Sequence, residues 1–157
     1  MRALIAVGPP LIAVGPPLAA AVIGSVGSRT APQVYERLRK PRWAPPRGVF
    51  APVWTTLYAL IGFAGWRMSG GQVAARTQVL HATQLALNAA WPFLFFRIGD
   101  KRASLAVIGV LDVVVAAELV ELIKRDKVAA AALAPYLGWS VFATALNAVV
   151  GDPGHRS

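Results

Sequence analysis

The chain has 157 residues, is 56% hydrophobic and only 15% charged, whereas an ordinary soluble domain is roughly a quarter charged, so the composition argues against a soluble globular domain. Its net charge of +9, from 16 Lys and Arg against 7 Asp and Glu, does not point to nucleic acid, because the basic residues sit mostly between apolar blocks and form no RNA-binding, zinc-finger or long basic-helix pattern. The lack of cysteine removes disulfides, thiolate metal sites and a cysteine nucleophile.

Five apolar blocks follow one another, each near the ~20 residues that a helix needs to cross a bilayer. They predict an all-α fold: one integral membrane domain of five transmembrane helices over 1–157. The first block, 3–26, carries a perfect tandem repeat, Ile5 to Leu11 copied as Ile12 to Leu18, each with Gly-Pro-Pro. Proline kinks a helix, which membrane helices tolerate when neighbours satisfy the freed groups. Arg2 and the run Ala19-Ala20-Ala21 resemble a signal peptide with its cleavage site. The Gly-Pro-Pro interruptions speak against that and favour a retained first helix. A long loop, 27–48, comes next, rich in Pro and Arg, and its Lys40 to Pro46 stretch is incompatible with regular helix or central strand. The remaining spans are 49–68, 77–96, 103–123 and 128–150, joined by short connections. Loops one and three and the C-terminus hold Arg29, Arg37, Arg39, Lys40, Arg42, Arg47, Arg97, Lys101, Arg102 and Arg156. This bias places the long loop and the C-terminus in the cytoplasm and the N-terminus outside.

Five tryptophans suit an interfacial belt, because indole favours the headgroup level. That reading fits Trp43 and Trp66. Trp54, with Tyr58 one turn on, and Trp139 fit a shared cavity equally well, where indole offers flat π surface to a flat ligand. His81, Gln84, Asn88, Trp91 and Phe95 share one face of the third span. Amides in a bilayer are costly unless bonded, so this face should meet protein or a pocket. Gln84 reads as interhelical glue, Asn88 with Trp91 as pocket, and His81 as interfacial. Asp112 is the one acid deep in an apolar block and is a functional candidate by default, with no readable partner. Glu118 and Glu121 read as a solvated helix end, Glu121 pairing with Lys124 or Arg125. No triad, P-loop, His-Glu-x-x-His or other metal-binding spacing occurs. No metal site and no obligatory cofactor are therefore expected, and a conventional hydrolase or metalloenzyme is disfavoured.

Several motifs then line up in order. Leu38-Arg39-Lys40-Pro41-Arg42-Trp43-Ala44-Pro45-Pro46 precedes Val49-Phe50-Ala51-Pro52-Val53-Trp54-Thr55-Thr56-Leu57-Tyr58. Asn88-x-x-Trp91-x-x-x-Phe95-Phe96 follows, then Pro135-Tyr136-Leu137-x-Trp139-x-x-Phe142-Ala143-Thr144-x-Leu146-Asn147, and Gly27-Ser28-Arg29 fits the end of the first span. The chain in this respect resembles the tryptophan-rich sensory protein and translocator protein family (TspO/MBR). The resemblance implies five helices around a ligand cavity capped by the first loop. It implies a membrane receptor for porphyrins such as protoporphyrin IX and similar flat hydrophobic ligands, with sterols and benzodiazepine-type drugs as ligands of animal members. It places Trp54, Tyr58, Asn88, Trp91, Trp139, Phe142, Ala143 and Asn147 at the ligand, and Tyr35, Pro41, Trp43, Pro45 and Pro46 in the lid. It also raises light-dependent porphyrin degradation, with Trp54 and Trp139 as the reacting indoles. The partners it implies are the tetrapyrrole and the lipid bilayer, together with a homodimer packed through small residues (Ala74, Ala82, Ala86, Ala89, Ala90), which would otherwise pack within the monomer. The chain departs from the family pattern in several places, among them a fourth span without the aromatics many members carry, an Asp112 not aligned with the family's acid there, and the proline repeat of the first span. Val34-Tyr35 stands where the family has Trp-Tyr, and no Tyr followed by a basic residue lies near Asn147, so a sterol role is disfavoured. Two other classes compete: a small ion-coupled transporter using Asp112 and the proline-broken first helix, and a non-catalytic stress-response scaffold that would tolerate loss of Trp54 or Trp139.

Overall fold

A computed structural model describes residues 8–70 and 73–151, without the side chains of 8–14, 16 and 17. Residues 3–7 of the expected first span, which include the start of the repeat, lie outside the described residues, as do Arg2 and Arg156. Among the described residues all regular structure is helical: α1 Gly8–Gly27, α2 Ala31–Arg37, α3 Phe50–Met68, α4 Ala75–Pro92, α5 Lys101–Arg125 and α6 Lys127–Val149. A 3-10 turn, Arg47–Val49, leads into α3, and a π-helical stretch, Phe93–Ile98, continues α4.

Two points correct the five-helix expectation. The loop 27–48 carries a helix of its own, α2. It is short and polar, and Pro32 lies in its first turn, where a missing N–H costs nothing. Four described segments are long and apolar enough to cross a membrane: Arg47–Met68, Ala75–Ile98, Lys101–Arg125 and Lys127–Val149. In the first block, Leu18–Gly27 forms a shorter apolar helix.

The helix α1 runs through both Gly-Pro-Pro units. Pro9 and Pro10 fall in its first turn, where N–H groups have no acceptor in any case. Pro16 and Pro17 withdraw two donors from its interior. Pro92 and Pro135 do the same in α4 and α6. Directly after Pro92 the hydrogen-bond register widens to the π pattern, a common response to a broken ladder. Gly99, at φ +77°, ends that stretch in the left-handed region, where a side chain would be strained. Asp100 then caps α5, accepting from the Ala103 N–H at 2.9 Å. Asp126 caps α6 through Val128 and Ala129 and accepts from Arg67 Nε at 2.8 Å.

The main packing partners are α1 with α3, α3 with α6, α6 with α5, α5 with α4 and α4 with α1. These contacts close a ring of five helices. Ile61, Leu111, Val115, Leu122, Leu133 and Tyr136 fill its interior at 2% exposure or less. The outside is also apolar: Val22, Ile23, Val79, Val113, Val120, Val141 and Val149 are exposed. An apolar exterior around a core that holds buried Gln84, Asn88, Glu118 and Asn147 is what a bilayer solvent selects. Close packing, rather than escape from water, then holds the helices together. At Gly27 this is literal, because an added Cβ would sit 2.7 Å from the Phe93 ring and 3.0 Å from its backbone nitrogen.

Candidate ligand-binding cavity

One end of the ring is closed by the segment between α1 and α3. Its bonds are largely its own: the Tyr35 hydroxyl donates to the Pro45 carbonyl at 2.7 Å, and Lys40 Nζ donates to the carbonyls of Tyr35 and Glu36. Arg47 pairs with Glu36 at 2.9 Å. Arg39 and Gly151 exchange backbone bonds at 3.0 and 3.1 Å, which ties the lid to the end of α6. The half-exposed Trp43 meets Phe142 edge-on at 5.7 Å. Tyr35 packs edge-on against Phe50 at 5.0 Å, and burial pushes its phenol pKa up.

Beneath the lid lies a cavity of about 570 Å³ between α1, α2, α3 and α4. Such a volume suits a small-molecule site. Ala21, Gly24 and Ser25 give α1 a flat wall. A Cβ added at Gly24 would lie 3.4 Å from the Tyr58 hydroxyl, so glycine keeps this wall back. Trp54 and Tyr58 of α3 and Trp91 and Phe96 of the α4 side supply aromatic walls, while Tyr35, Arg47 and Phe50 close the lid side. A second hollow of about 780 Å³ shares Trp54 and Tyr58 and continues between α1 and α3 towards Phe63 and Trp66.

The polar atoms facing the cavity are few and fixed. Asn88 Oδ1 accepts from the Tyr58 hydroxyl at 2.5 Å, and its Nδ2 donates to the Tyr136 oxygen at 2.8 Å. Three helices therefore meet at one amide. Trp91 Nε1 donates to Asn147 Oδ1 at 3.0 Å, and Ser104 donates to the same oxygen at 3.1 Å. That join holds the Trp91 indole by its edge, while Phe95 stacks on the ring at 5.4 Å and Phe96 meets it edge-on at 5.7 Å.

Of the residues singled out from the sequence, Trp54, Tyr58, Asn88, Trp91 and Tyr35 come together on this cavity. The α6 residues stand behind it. Trp139 lies 5.8 Å from Phe50 and 5.2 Å from Phe142, ring to ring, and its buried Nε1 has no partner. Ala143 and Asn147 are buried in the helix interface. Pro41, Trp43, Pro45 and Pro46 lie in the lid segment but not on the cavity wall. Sequence reasoning missed Gly24 and Ser25 on α1, and Tyr136 as the third member of the Asn88 junction. The Pro135-Tyr136 pair lay inside a quoted motif and was the available signal for the last.

The structure gives partners to four ionisable residues of α4 and α5. Glu118 is no solvated helix end: it is fully buried, its Oε1 2.7 Å from Nδ1 of His81, which is buried as well. Glu121 meets Arg76 at 3.9 Å rather than Lys124 or Arg125. Asp112 has partners, the hydroxyls of Ser140 and Thr144 at 2.5 and 2.6 Å, which fasten α5 to α6. The small residues of α4 divide: Ala82, Ala86 and Ala90 face outwards, while Ala89 is buried inside the bundle.

Residues 13–151 match the model of the TspO/MBR family. Among curated proteins, the chain is 40% identical over 136 residues to the tryptophan-rich protein TspO of Archaeoglobus fulgidus, covering 82% of this chain and 88% of that one. It is 39% identical over 128 residues to the translocator protein of Homo sapiens, covering 77% and 75%. To the tryptophan-rich sensory protein of Cereibacter sphaeroides it is 37% identical over 113 residues, or 72% of each chain. The match spans both the lid and the helices that line the cavity, and the chain belongs to the TspO/MBR family.

Proposed function

We propose that this chain is a membrane receptor and sensor that binds porphyrin-like tetrapyrroles, protoporphyrin IX among them, in the cavity beneath the lid. In this reading α1 is a fifth span, and the lid and C-terminus face the cytoplasm, as the Lys and Arg bias suggests. The observation that carries the proposal is the cavity's make-up: aromatic faces from Trp54, Tyr58 and Trp91, few free polar atoms, and Arg47 at the lid. Flat apolar rings gain by stacking on such walls, and the Arg47 guanidinium, by exchanging its exposed partner Glu36, would suit a ligand's carboxylates. No cofactor is needed for binding. Release, transport or light-driven oxidation of the ligand would each begin from this bound state. A homodimer through the outward Ala82, Ala86 and Ala90 belongs to the same reading, since small residues allow close helix approach.

The test is a titration of purified protein with protoporphyrin IX in the dark, followed by tryptophan quenching. Trp54→Phe should weaken binding roughly threefold to tenfold, the equivalent of about 0.5–1.5 kcal/mol for an aromatic contact. Trp139→Phe should act less, through Phe50. Illuminating the same samples tests degradation. Binding that does not saturate, or that ignores Trp54, would overturn the porphyrin assignment.

A further inference from the structure

One buried cluster has no part in the cavity itself. Thr77, His81 and Gln84 lie along one face of α4, against Glu118 of α5, and all four are buried. Their one close contact is His81 Nδ1 to Glu118 Oε1 at 2.7 Å, with Gln84 Nε2 3.4 Å from the same nitrogen. Thr77 Oγ1, His81 Nε2, Gln84 Oε1 and Glu118 Oε2 are buried without partners among the described residues. Simple fastening of two helices does not call for this chemistry. A neutral amide pair would do it without placing an acid at zero exposure, the most expensive choice in a bilayer. A facing imidazole and carboxyl can, however, share a proton. With it the pair is neutral overall, on either atom; without it the pair carries one negative charge inside the bundle.

The pair also connects to the cavity. Gln84 is one turn beyond His81 on α4 and one turn before Asn88, which bonds the cavity-lining Tyr58. On α6, Tyr136 shares that amide, its oxygen accepting from Asn88. Towards the opposite end, Thr77 lies next to Arg76, whose exposed side chain meets Glu121. A polar line thus runs down α4 from the bundle's end to the cavity.

We propose that His81 and Glu118 form a proton-binding site linked to the cavity, so that seating an anionic ligand beside Tyr58 and Asn88 draws a proton onto the pair. The proton comes from solvent, and no bond other than N–H or O–H changes. The sign follows from charge. The deprotonated pair repels an anionic ligand, so affinity is highest with the proton bound and lower towards alkaline pH. His81 and Asn88 are seven residues apart, about 10 Å along a helix, and at that distance a unit charge alters affinity on the order of tenfold at an effective dielectric of about 20. Other titratable or charged groups around the pair are Tyr136 from α6, Asp112 on α5 beyond it, and Arg76 with Glu121 towards the helix ends. The packed face of α1 carries no charged residue.

The inference that the ligand is linked to this proton rests on the receptor reading, but the proton site itself does not, and the experiment separates them. Infrared difference spectra of the ligand-free full chain, acid minus alkaline, should show a carboxyl or imidazole change that disappears in both Glu118→Gln and His81→Asn. If wild type shows no change that either substitution removes, the proton site is refuted whatever the ligand does. Protoporphyrin IX, with carboxylates ionised above about pH 6, is then titrated in two buffers of different ionisation heat. Wild type should take up protons on binding and lose roughly tenfold in affinity towards alkaline pH. Glu118→Gln should still saturate but with a flatter profile and less proton uptake. Equal profiles and uptake in wild type and Glu118→Gln would overturn the linkage. Absence of saturable binding in wild type would remove the receptor reading and the linkage with it, leaving the infrared result to decide the site.

Discussion

Asn88 is the residue on which the cavity's polar side depends. Its amide serves two phenols, Tyr58 at 2.5 Å and Tyr136 at 2.8 Å, and Tyr136 is fully buried. Interhelical hydrogen bonds within membranes average only ~0.6 kcal/mol. Removing a shared partner costs more, because each buried phenol left alone loses its solvation as well. Asn88→Leu should therefore destabilise the bundle by about 1–2 kcal/mol, measured by reversible denaturation in mixed micelles. Combined with Tyr136→Phe, the loss should be smaller than the sum of the two single changes, since the second substitution removes a group already orphaned. Strict additivity would mean that the junction is not an energetic unit. The sequence showed Asn88 as a pocket residue because an amide on an apolar face stands out. It could not show Tyr136 as its partner, because a phenol in an apolar block reads equally as packing.

At the scale of elements, the turn between α5 and α6 depends on Asp126. One carboxylate caps α6 and binds Arg67 from α3, so three helices are fastened at a single residue. The Arg67 hydrogen bond, aided by the cap N–H groups, holds its carboxyl below the usual range. A depressed folded-state pKa contributes stability that is complete above the ordinary carboxylate range and fades as pH falls through that range and below it. Asp126→Ala should cost about 1 kcal/mol at neutral pH, the usual worth of an N-cap. It should also flatten the decline of Tm with acid, read by thermal melting in detergent from neutral pH down to about 3, below the ordinary carboxylate pKa. An unchanged acid profile would show that another carboxylate governs it. The long apolar helices could be read from the sequence because each is a block with charges only at its ends. The helix α2 could not, being too short and polar for periodicity to mark. The π-helical end of α4 lies between Pro92 and Gly99, seven residues apart, and neither residue alone marks it. The pairs His81 with Glu118 and Asp112 with Ser140 and Thr144 follow from how α4, α5 and α6 are rotated against one another, and a single sequence carries no such angle.

For the whole molecule, a ligand held beneath the lid as proposed would have two ways out of the ring of helices. One passes the lid, which is tied down by the Arg39–Gly151 bridge and by Trp43 against Phe142. The other is the hollow between α1 and α3, which continues from Trp54 and Tyr58 to Phe63 and Trp66 and opens on the side that the bilayer would cover. The two routes make opposite demands on different residues. Trp43 is half exposed and contributes little to the core, so Trp43→Ala should leave the bundle's stability nearly unchanged while loosening the lid by the worth of an aromatic pair, about 0.5–1.5 kcal/mol. Gly62 lines the hollow, and a Cβ there meets nothing within 4 Å, so a side chain can start there and Gly62→Leu should narrow the side passage. Stopped-flow release of bound protoporphyrin IX distinguishes them. The lid has more fastenings than the hollow, which has none across it in the described residues, so the side passage is the lower barrier. Gly62→Leu should then slow release several-fold, while Trp43→Ala changes it less than twofold. Faster release from Trp43→Ala with no effect of Gly62→Leu would reverse that order and make the lid the gate.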